Sequence, residues 1–317
     1  MSPDFVTLGR SSAFAKRTHG EARAKRADFA AACARVARCE PVDGVLRFAL
    51  PPSLVAGLRA AAKEAIARHG LHGWLSSKGW TTLGDYESLS LTYNPDLSDP
   101  GIRDVHQSTL GSSRVMPEHY YYDMSAARPG ARATRRLADT SNTYYDTYGF
   151  RLLTPAAKIG ALGRFFSGCG LSPVRSRLSV LYGDCAEQQG FDYGWHRDES
   201  VFQNLRINIP LVARPNYRLQ IEHARDFPSE QSPDMSLYYL KTGYAYTWDS
   251  NRPHRVFALR SCRIMRVHLV LGFSPWFRFD ASGDVWTPNE YYGRVHPFDI
   301  LRRGGLHPAL KAVPQDH

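Results

Sequence analysis

No apolar run in the 317 residues approaches the roughly 18 that a membrane-spanning helix requires. The opening stretch, MSPDFVTLGRSS, has no apolar core of the kind a secretory signal carries, so a soluble, cytoplasmic protein with no membrane partner is expected. Cysteine is scarce and scattered: Cys33, Cys39, Cys169, Cys185 and Cys262 are odd in number and contain no CxxC pair. That argues against a disulfide framework and against a thiolate zinc site, and leaves buried or free thiols. Lysine is rare, 7 against 33 arginines. There is no internal repeat, no low-complexity segment, no dense lysine/arginine tract and no nucleic-acid recognition motif, so nucleic acid is not the expected partner.

What the chain does carry is a net charge of +10, concentrated in places. Residues 128 to 177 hold nine arginines and lysines against Asp139 and Asp146, and the acid-free block from Arg252 to Arg266 holds five arginines. A basic pocket for a small anion accounts for this as well as a basic face does, and guanidinium groups suit forked recognition of carboxylate or phosphate.

The alanine-rich segment 21–39 and the stretch from Ser53 to His69 read as helices, the second closed by Gly70, with a short strand between them at Val45–Leu50. A third helix is expected from Thr154 as N-cap, with Pro155 in its first turn, through Ala156 to Phe166. Residues 95 to 150 lack a sustained period and read as loops covering a site, with His106, His119 and Tyr120, Tyr121 and Tyr122 among them.

From Arg175 the texture becomes short β-like runs between polar turns. These are Arg177–Tyr182, Gly194–Asp198, Leu205–Val212, Tyr217–Glu222, Leu237–Leu240, Tyr244–Trp248, Arg255–Leu259 and Ile264–Phe273. Eight such strands suit a mainly β fold with flanking helices, a jelly roll or double-stranded β-helix of the cupin type. The organisation expected is a helical and loop-rich region at 1–174 supporting and covering the site, the β core at 175–296, and a loosely ordered extension at 297–317.

Two strands carry polar residues on one face. Leu205, Ile207, Ile209 and Leu211 alternate with Arg206, Asn208 and Pro210, and Met265, Val267, Leu269 and Leu271 alternate with Arg266, His268 and Val270. Either strand alone fits an ordinary half-solvated sheet. Both polar faces turn inward only if something nearby requires them.

The segment Gly194-Trp195-His196-Arg197-Asp198 supplies that requirement. On an extended chain His196 and Asp198 project from one face, able to offer an imidazole nitrogen and a carboxylate oxygen to one metal ion. An HxD alone occurs often by chance, but Asn251-Arg252-Pro253-His254-Arg255-Val256 follows several strands later. Two histidines and one carboxylate on one face of an octahedron leave three positions open, an arrangement suited to Fe(II) and oxygen. A dicarboxylic 2-oxo acid would fill two of them and need a cation for its far carboxylate. Arg266 stands on the polar face of the last strand; its competitor Arg263 falls by parity on the apolar one. His268 shares the face of Arg266, with a co-substrate role and a satisfied internal histidine both open.

The runs RLSVLYGDCAEQQGFDYGWHRDE, LRINIPLVARPNY and YAYTWDSNRPHRVFALRSCRIMRVHLVLGF resemble the aspartyl/asparaginyl β-hydroxylase-like branch of the Fe(II)/2-oxoglutarate-dependent dioxygenases. The likeness covers roughly residues 175 to 273. It implies iron ligands at His196, Asp198 and His254, 2-oxoglutarate held by Arg266, and Arg206 and Asn208 beside the co-substrate, Asn208 standing where the family's RxHxPL motif has histidine. It implies consumption of O2 and oxidative decarboxylation of 2-oxoglutarate to succinate and CO2, coupled to hydroxylation of a C–H bond. The substrate implied is a small molecule, amino-acid-like and compatible with negative charge, free, carrier-bound or within a peptide. Desaturation or another oxidation, a non-catalytic cupin-like binding module and a nucleic-acid demethylase are the competing readings.

Overall fold

The computed structural model describes residues 29–37, 44–76, 79–81, 86–93, 148, 150–181, 192–196, 198–222, 235–258, 265–282 and 285–313; at 72–76, 79–81, 86, 192–196, 258 and 285 it describes the backbone. Residues 29–36 are helical. Strand β1 (Leu46–Ala49) leads into helix α1 (Pro52–His69), then β2 (His72–Ser76), β3 (Gly79–Thr81), β4 (Tyr86–Ser90) and the short pair β5 (Thr92–Tyr93) and β6 (Leu152–Leu153). Helix α2 (Gly160–Ser167) precedes β7 (Ser172–Leu181), β8 (Asp192–His196), β9 (Leu205–Val212), β10 (Tyr217–Glu222), β11 (Met235–Tyr238), β12 (Tyr244–Thr247), β13 (His254–Ala258) and β14 (Arg266–Ser274). A hairpin of β15 (Phe277–Asp280) and β16 (Val285–Pro288), helix α3 (Pro297–Arg302) and strand β17 (Lys311–Ala312) follow.

Strands β7 to β14 form the expected jelly roll. One sheet carries β12, β9, β14 and β7 as neighbours, and the other carries β11, β10, β13 and β8. The chain passes between sheets at nearly every step, β10 to β11 being the one hairpin that stays within a sheet. This alternation is what defines a double-stranded β-helix. All eight expected strands are present, two of them (Leu205–Val212 and Tyr217–Glu222) with the expected bounds.

The larger sheet is wider than the sequence suggests. Residues before 175 extend it with β4, β2 and β3 beyond β7, and β1 and β17 extend it beyond β12, giving nine strands. Strands β2 to β4 carry no clear alternation to mark them; β4 pairs with β7, Tyr86 to Ser90 lying opposite Leu181 to Arg177, and β2 then pairs with β4 and β3.

Helix α1 buries Val55, Leu58, Ala61, Ala62 and Ala65, a helical stripe whose alanines allow close approach to α2. It ends at Gly70, whose φ of 77° only glycine adopts cheaply and whose N–H donates to Ile66 O. Arg59 Nε ties the helix to the sheet by donating to Leu211 O at 2.9 Å. The third expected helix is broken in two. Thr154 Oγ1 caps it as expected, accepting from Ala157 N at 3.3 Å, but the turn it caps is a 3-10 turn at Ala156–Lys158. Ile159 is then extended (φ −74°, ψ 125°), and Gly160, at φ 47°, restarts the chain as α2.

The C-terminal segment is not a loose extension. Phe298, Ile300, Leu301, Leu306 and Leu310 belong to the main hydrophobic core, and Lys311–Ala312 pair with β1. Five apolar side chains in thirteen residues have to be buried somewhere, and the surface beside α2 takes them: Gly170 N donates to Leu306 O at 2.7 Å and His307 stacks on Phe165 at 4.4 Å.

Candidate active site

The direction of the polar faces follows from what covers the apolar ones. Leu205, Ile207, Ile209 and Leu211 of β9 and Val267, Leu269 and Leu271 of β14 belong to the same core cluster as the buried stripes of α1 and α2. Helices therefore occupy that side of the larger sheet. The opposite side faces the smaller sheet, so Arg206, Asn208, Arg266 and His268 turn into the barrel, at 8%, 6%, 8% and 1% exposure. Strand register adds a residue that sequence reading left unassigned: Arg177 of β7 lies opposite Val270, which lies opposite Asn208, so its buried guanidinium shares their face.

At one end of the barrel β13 pairs with β8 so that His254 lies directly opposite His196. The side chain of His196 lies outside the described residues. Asp198 follows just past the end of β8, where its N–H donates to Ser250 O at 2.9 Å and Ser250 Oγ donates to Glu199 O at 2.9 Å. These two bonds pin the 198–199 segment to the turn that leads into β13. Asp198 Oδ2 thereby comes to 3.6 Å from His254 Nε2.

His254 is 3% exposed, and its Nδ1 lies 2.9 Å from Arg252 O. A carbonyl accepts only, so Nδ1 donates to it, and Nε2 is the ring nitrogen turned toward Asp198. Trp248 meets the ring edge-to-face at 5.7 Å and packs with Leu219, Ile221, Leu240 and Tyr246, so it belongs to the barrel's apolar cluster while bracing His254.

Behind Asp198 stands a buried ion-pair network. Arg206 Nη1 pairs with Asp198 Oδ2, Arg206 Nη2 donates to Glu199 Oε2 at 2.5 Å, and Arg175 Nη1 pairs with Glu199 Oε1. Burial opposes ionisation of Glu199, but Arg175 and Arg206 together outweigh it and draw the carboxyl down to about 2. Glu199 and Arg175 were not singled out from sequence. The available signal was the acid directly following Asp198.

Deeper between the sheets, Arg266 Nε donates to His268 Nε2 at 2.8 Å and its Nη2 lies 2.7 Å from Nδ1 of the same ring. Burial, and after it the charge of Arg266, hold the pKa of His268 well below the ordinary 6.5, so the ring is neutral at pH 7. The guanidinium also sits 5.9 Å above the ring of Tyr217. A cleft opens here, lined by Arg214, Tyr217, Leu219, Val256, Arg266 and His268. It joins a cationic end to an apolar wall.

Among the described residues, which exclude the His196 side chain, no three His, Cys, Asp or Glu groups cluster as metal donors; the two that meet are Asp198 and His254. Arg197, Arg263, His106, His119, His223, the tyrosine run at 120–122 and Cys39, Cys185 and Cys262 also lie outside them, as does the side chain of Trp195. Cys33 and Cys169 are free thiols, and burial pushes Cys33 up to about 11 and Cys169 higher still, which disfavours the thiolate in both.

No family model and no curated protein matches the chain. Solved structures it resembles include the non-heme alpha ketoglutarate dependent epimerase SnoN from nogalamycin biosynthesis, at 15% identity over 80% of this chain and 82% of that one, TM-score 0.38. A Pseudomonas putida prolyl-4-hydroxylase overlaps at 13% identity, 78% and 97% coverage and TM-score 0.36. A Trichoplax adhaerens prolyl hydroxylase in complex with a hypoxia inducible factor peptide overlaps at 9% identity, 82% and 94% coverage and TM-score 0.34.

Proposed function

We propose that the chain is an Fe(II)- and 2-oxoglutarate-dependent dioxygenase that hydroxylates a C–H bond of a small, amino-acid-like molecule. The observation that carries this reading is the pairing of β13 with β8, which brings Nε2 of His254 to 3.6 Å from Asp198 Oδ2 directly across from His196. An imidazole whose Nδ1–H is anchored on a carbonyl is oriented to offer its Nε2 to a metal. The donor set suits ferrous iron: nitrogen and oxygen ligands, no thiolate, and few enough protein ligands to leave positions for exogenous groups.

His196, Asp198 and His254 would hold the metal. Bound there with 2-oxoglutarate, iron supplies the oxidising chemistry that couples O2 reduction to loss of CO2. The chain's own residues do the positioning. Arg266, buried with a neutral His268 at its side, takes the distal carboxylate of the co-substrate in a forked contact. Asn208 lies between the two ends on the same inward face and can donate its amide to the 1-carboxylate end. Leu219 and Val256 offer an apolar wall to the co-substrate's aliphatic middle. Arg177, on the same face, offers a further cation to a substrate carboxylate.

The test is succinate formation from 2-oxoglutarate by the iron-loaded protein with ascorbate in air. Turnover is expected even without substrate, at an uncoupled rate, and His254→Ala is expected to abolish it. Absence of both coupled and uncoupled turnover in protein shown to hold iron would replace the enzyme with a binding module.

A further inference from the structure

The resemblance implies a place for Arg206 beside the co-substrate, yet both arms of its inward-facing guanidinium are taken by carboxylates. One arm meets Asp198 and the other meets Glu199, whose second oxygen is held by Arg175. All three supporting groups are withdrawn from water, with side-chain exposures of 10% for Arg206, 18% for Glu199 and 6% for Arg175. The chain of contacts runs in one direction, from the β7 strand across to the carboxylate that faces His254.

The backbone shows that Arg175 is placed there at some cost. It is the one non-glycine residue with positive φ among the described residues, at 39°. It sits where the register of β7 against β14 shifts, between Val270 and Gly272. A β-bulge re-aims the side chain it carries, and a residue held in left-handed conformation persists where the surroundings over-determine it. Here the surroundings are Glu199 and the face of Phe150, 5.7 Å from the guanidinium carbon.

Charge bookkeeping points the same way. Two guanidinium groups and two carboxylates cancel within the cluster, so Arg206 has little positive charge left for an incoming anion. Its fork is also geometrically occupied, since planar guanidinium groups bind bidentately in one plane.

We propose that Arg175, Glu199 and Arg206 form a positioning relay that sets the carboxylate of Asp198 for metal binding, and that Arg206 serves the metal carboxylate and not the co-substrate. The proposal rests on the reading of Asp198 and His254 as metal ligands. None of the three relay residues touches the metal; each acts through the next. Glu199 fixes the second arm of Arg206, and without it that side chain can swivel and draw Asp198 out of line.

The test measures Co(II) affinity of the full chain by its visible absorption, anaerobically and without 2-oxoglutarate, and then 2-oxoglutarate affinity at saturating metal. Glu199→Gln is nearly isosteric and is expected to weaken Co(II) binding roughly 10–100-fold, the usual effect of losing an outer partner of a metal ligand. Its 2-oxoglutarate affinity is expected to stay within about threefold of wild type, since the relay acts on the metal side only. Arg175→Gly is the second variant, because glycine accepts the positive φ and the change removes the guanidinium without straining the backbone; it is expected to weaken Co(II) binding in the same direction. A rise in the 2-oxoglutarate dissociation constant with Co(II) affinity unchanged, in either variant, would overturn the relay and return Arg206 to the co-substrate. Unchanged values of both would overturn it as well. If wild type and His254→Ala bind Co(II) alike, the metal-site reading itself fails, separately from the relay.

Discussion

Replacing Arg266 with alanine separates co-substrate binding from every other role in the barrel. The side chain is 8% exposed, bonds His268 at 2.8 Å and lies over Tyr217 at 5.9 Å, so its loss leaves a buried polar space where a carboxylate would arrive without a partner. Removing one side of a buried, hydrogen-bonded charge pair costs about 2–5 kcal/mol. Neutral His268 can still donate one hydrogen bond, and the cleft admits water, so the lower part of that range applies, about 2–3.5 kcal/mol. At 1.4 kcal/mol per tenfold this is a rise of roughly 30–300-fold in the 2-oxoglutarate dissociation constant. Because Arg266 would hold the end of the co-substrate remote from the reacting bond, KM for 2-oxoglutarate should rise while kcat at saturation changes little. Arg266→Lys keeps the charge but loses the fork, and should fall between the two. The assay is calorimetric titration of anaerobic, metal-loaded protein with 2-oxoglutarate, alongside steady-state succinate release. A 2-oxoglutarate affinity within threefold of wild type, in a variant that still binds metal, would refute the reasoning and move the carboxylate to another cation such as Arg263.

Two further outcomes follow from packing and charge. At Gly272 an added Cβ would run into Val174 O and Asn204 Oδ1, beside the bulge that aims Arg175, so Gly272→Ala is expected to cost about 1–3 kcal/mol. A Tm within a degree of wild type in calorimetry would refute that. His268, His296 and His307 all have pKa values lowered by burial below 6.5. The unfolded chain therefore takes up protons that the folded one refuses, so stability is full above the unfolded value and falls as pH drops below about 6.5. His268→Gln should flatten that slope in urea titrations between pH 7 and 5, and an unchanged slope would remove His268 from the account.

The rhythm of the chain was legible. Turns and apolar runs marked all eight barrel strands, and the two-residue alternation in Leu205–Val212 and Arg266–Ser274 separated the core face from the polar one. Strands β2 to β4 and the buried C-terminal segment were not, because their order comes from partners far away in sequence, β7 for one and the α2 surface for the other. Arg206 is the sharpest case: the resemblance implied a place beside the co-substrate, but the partners it takes depend on where Glu199 and a bulged Arg175 arrive.

Periodicity is a local property, so residue order by itself determined the number of barrel strands, their two faces and the acid and histidine types available for a site. Which face became the interior was decided only when α1 and α2 covered the apolar one. The pairing of His254 with His196, and the bonds from Asp198 and Glu199 to Ser250, join segments some fifty residues apart. Such contacts depend on the register of neighbouring strands, which no short window of sequence specifies.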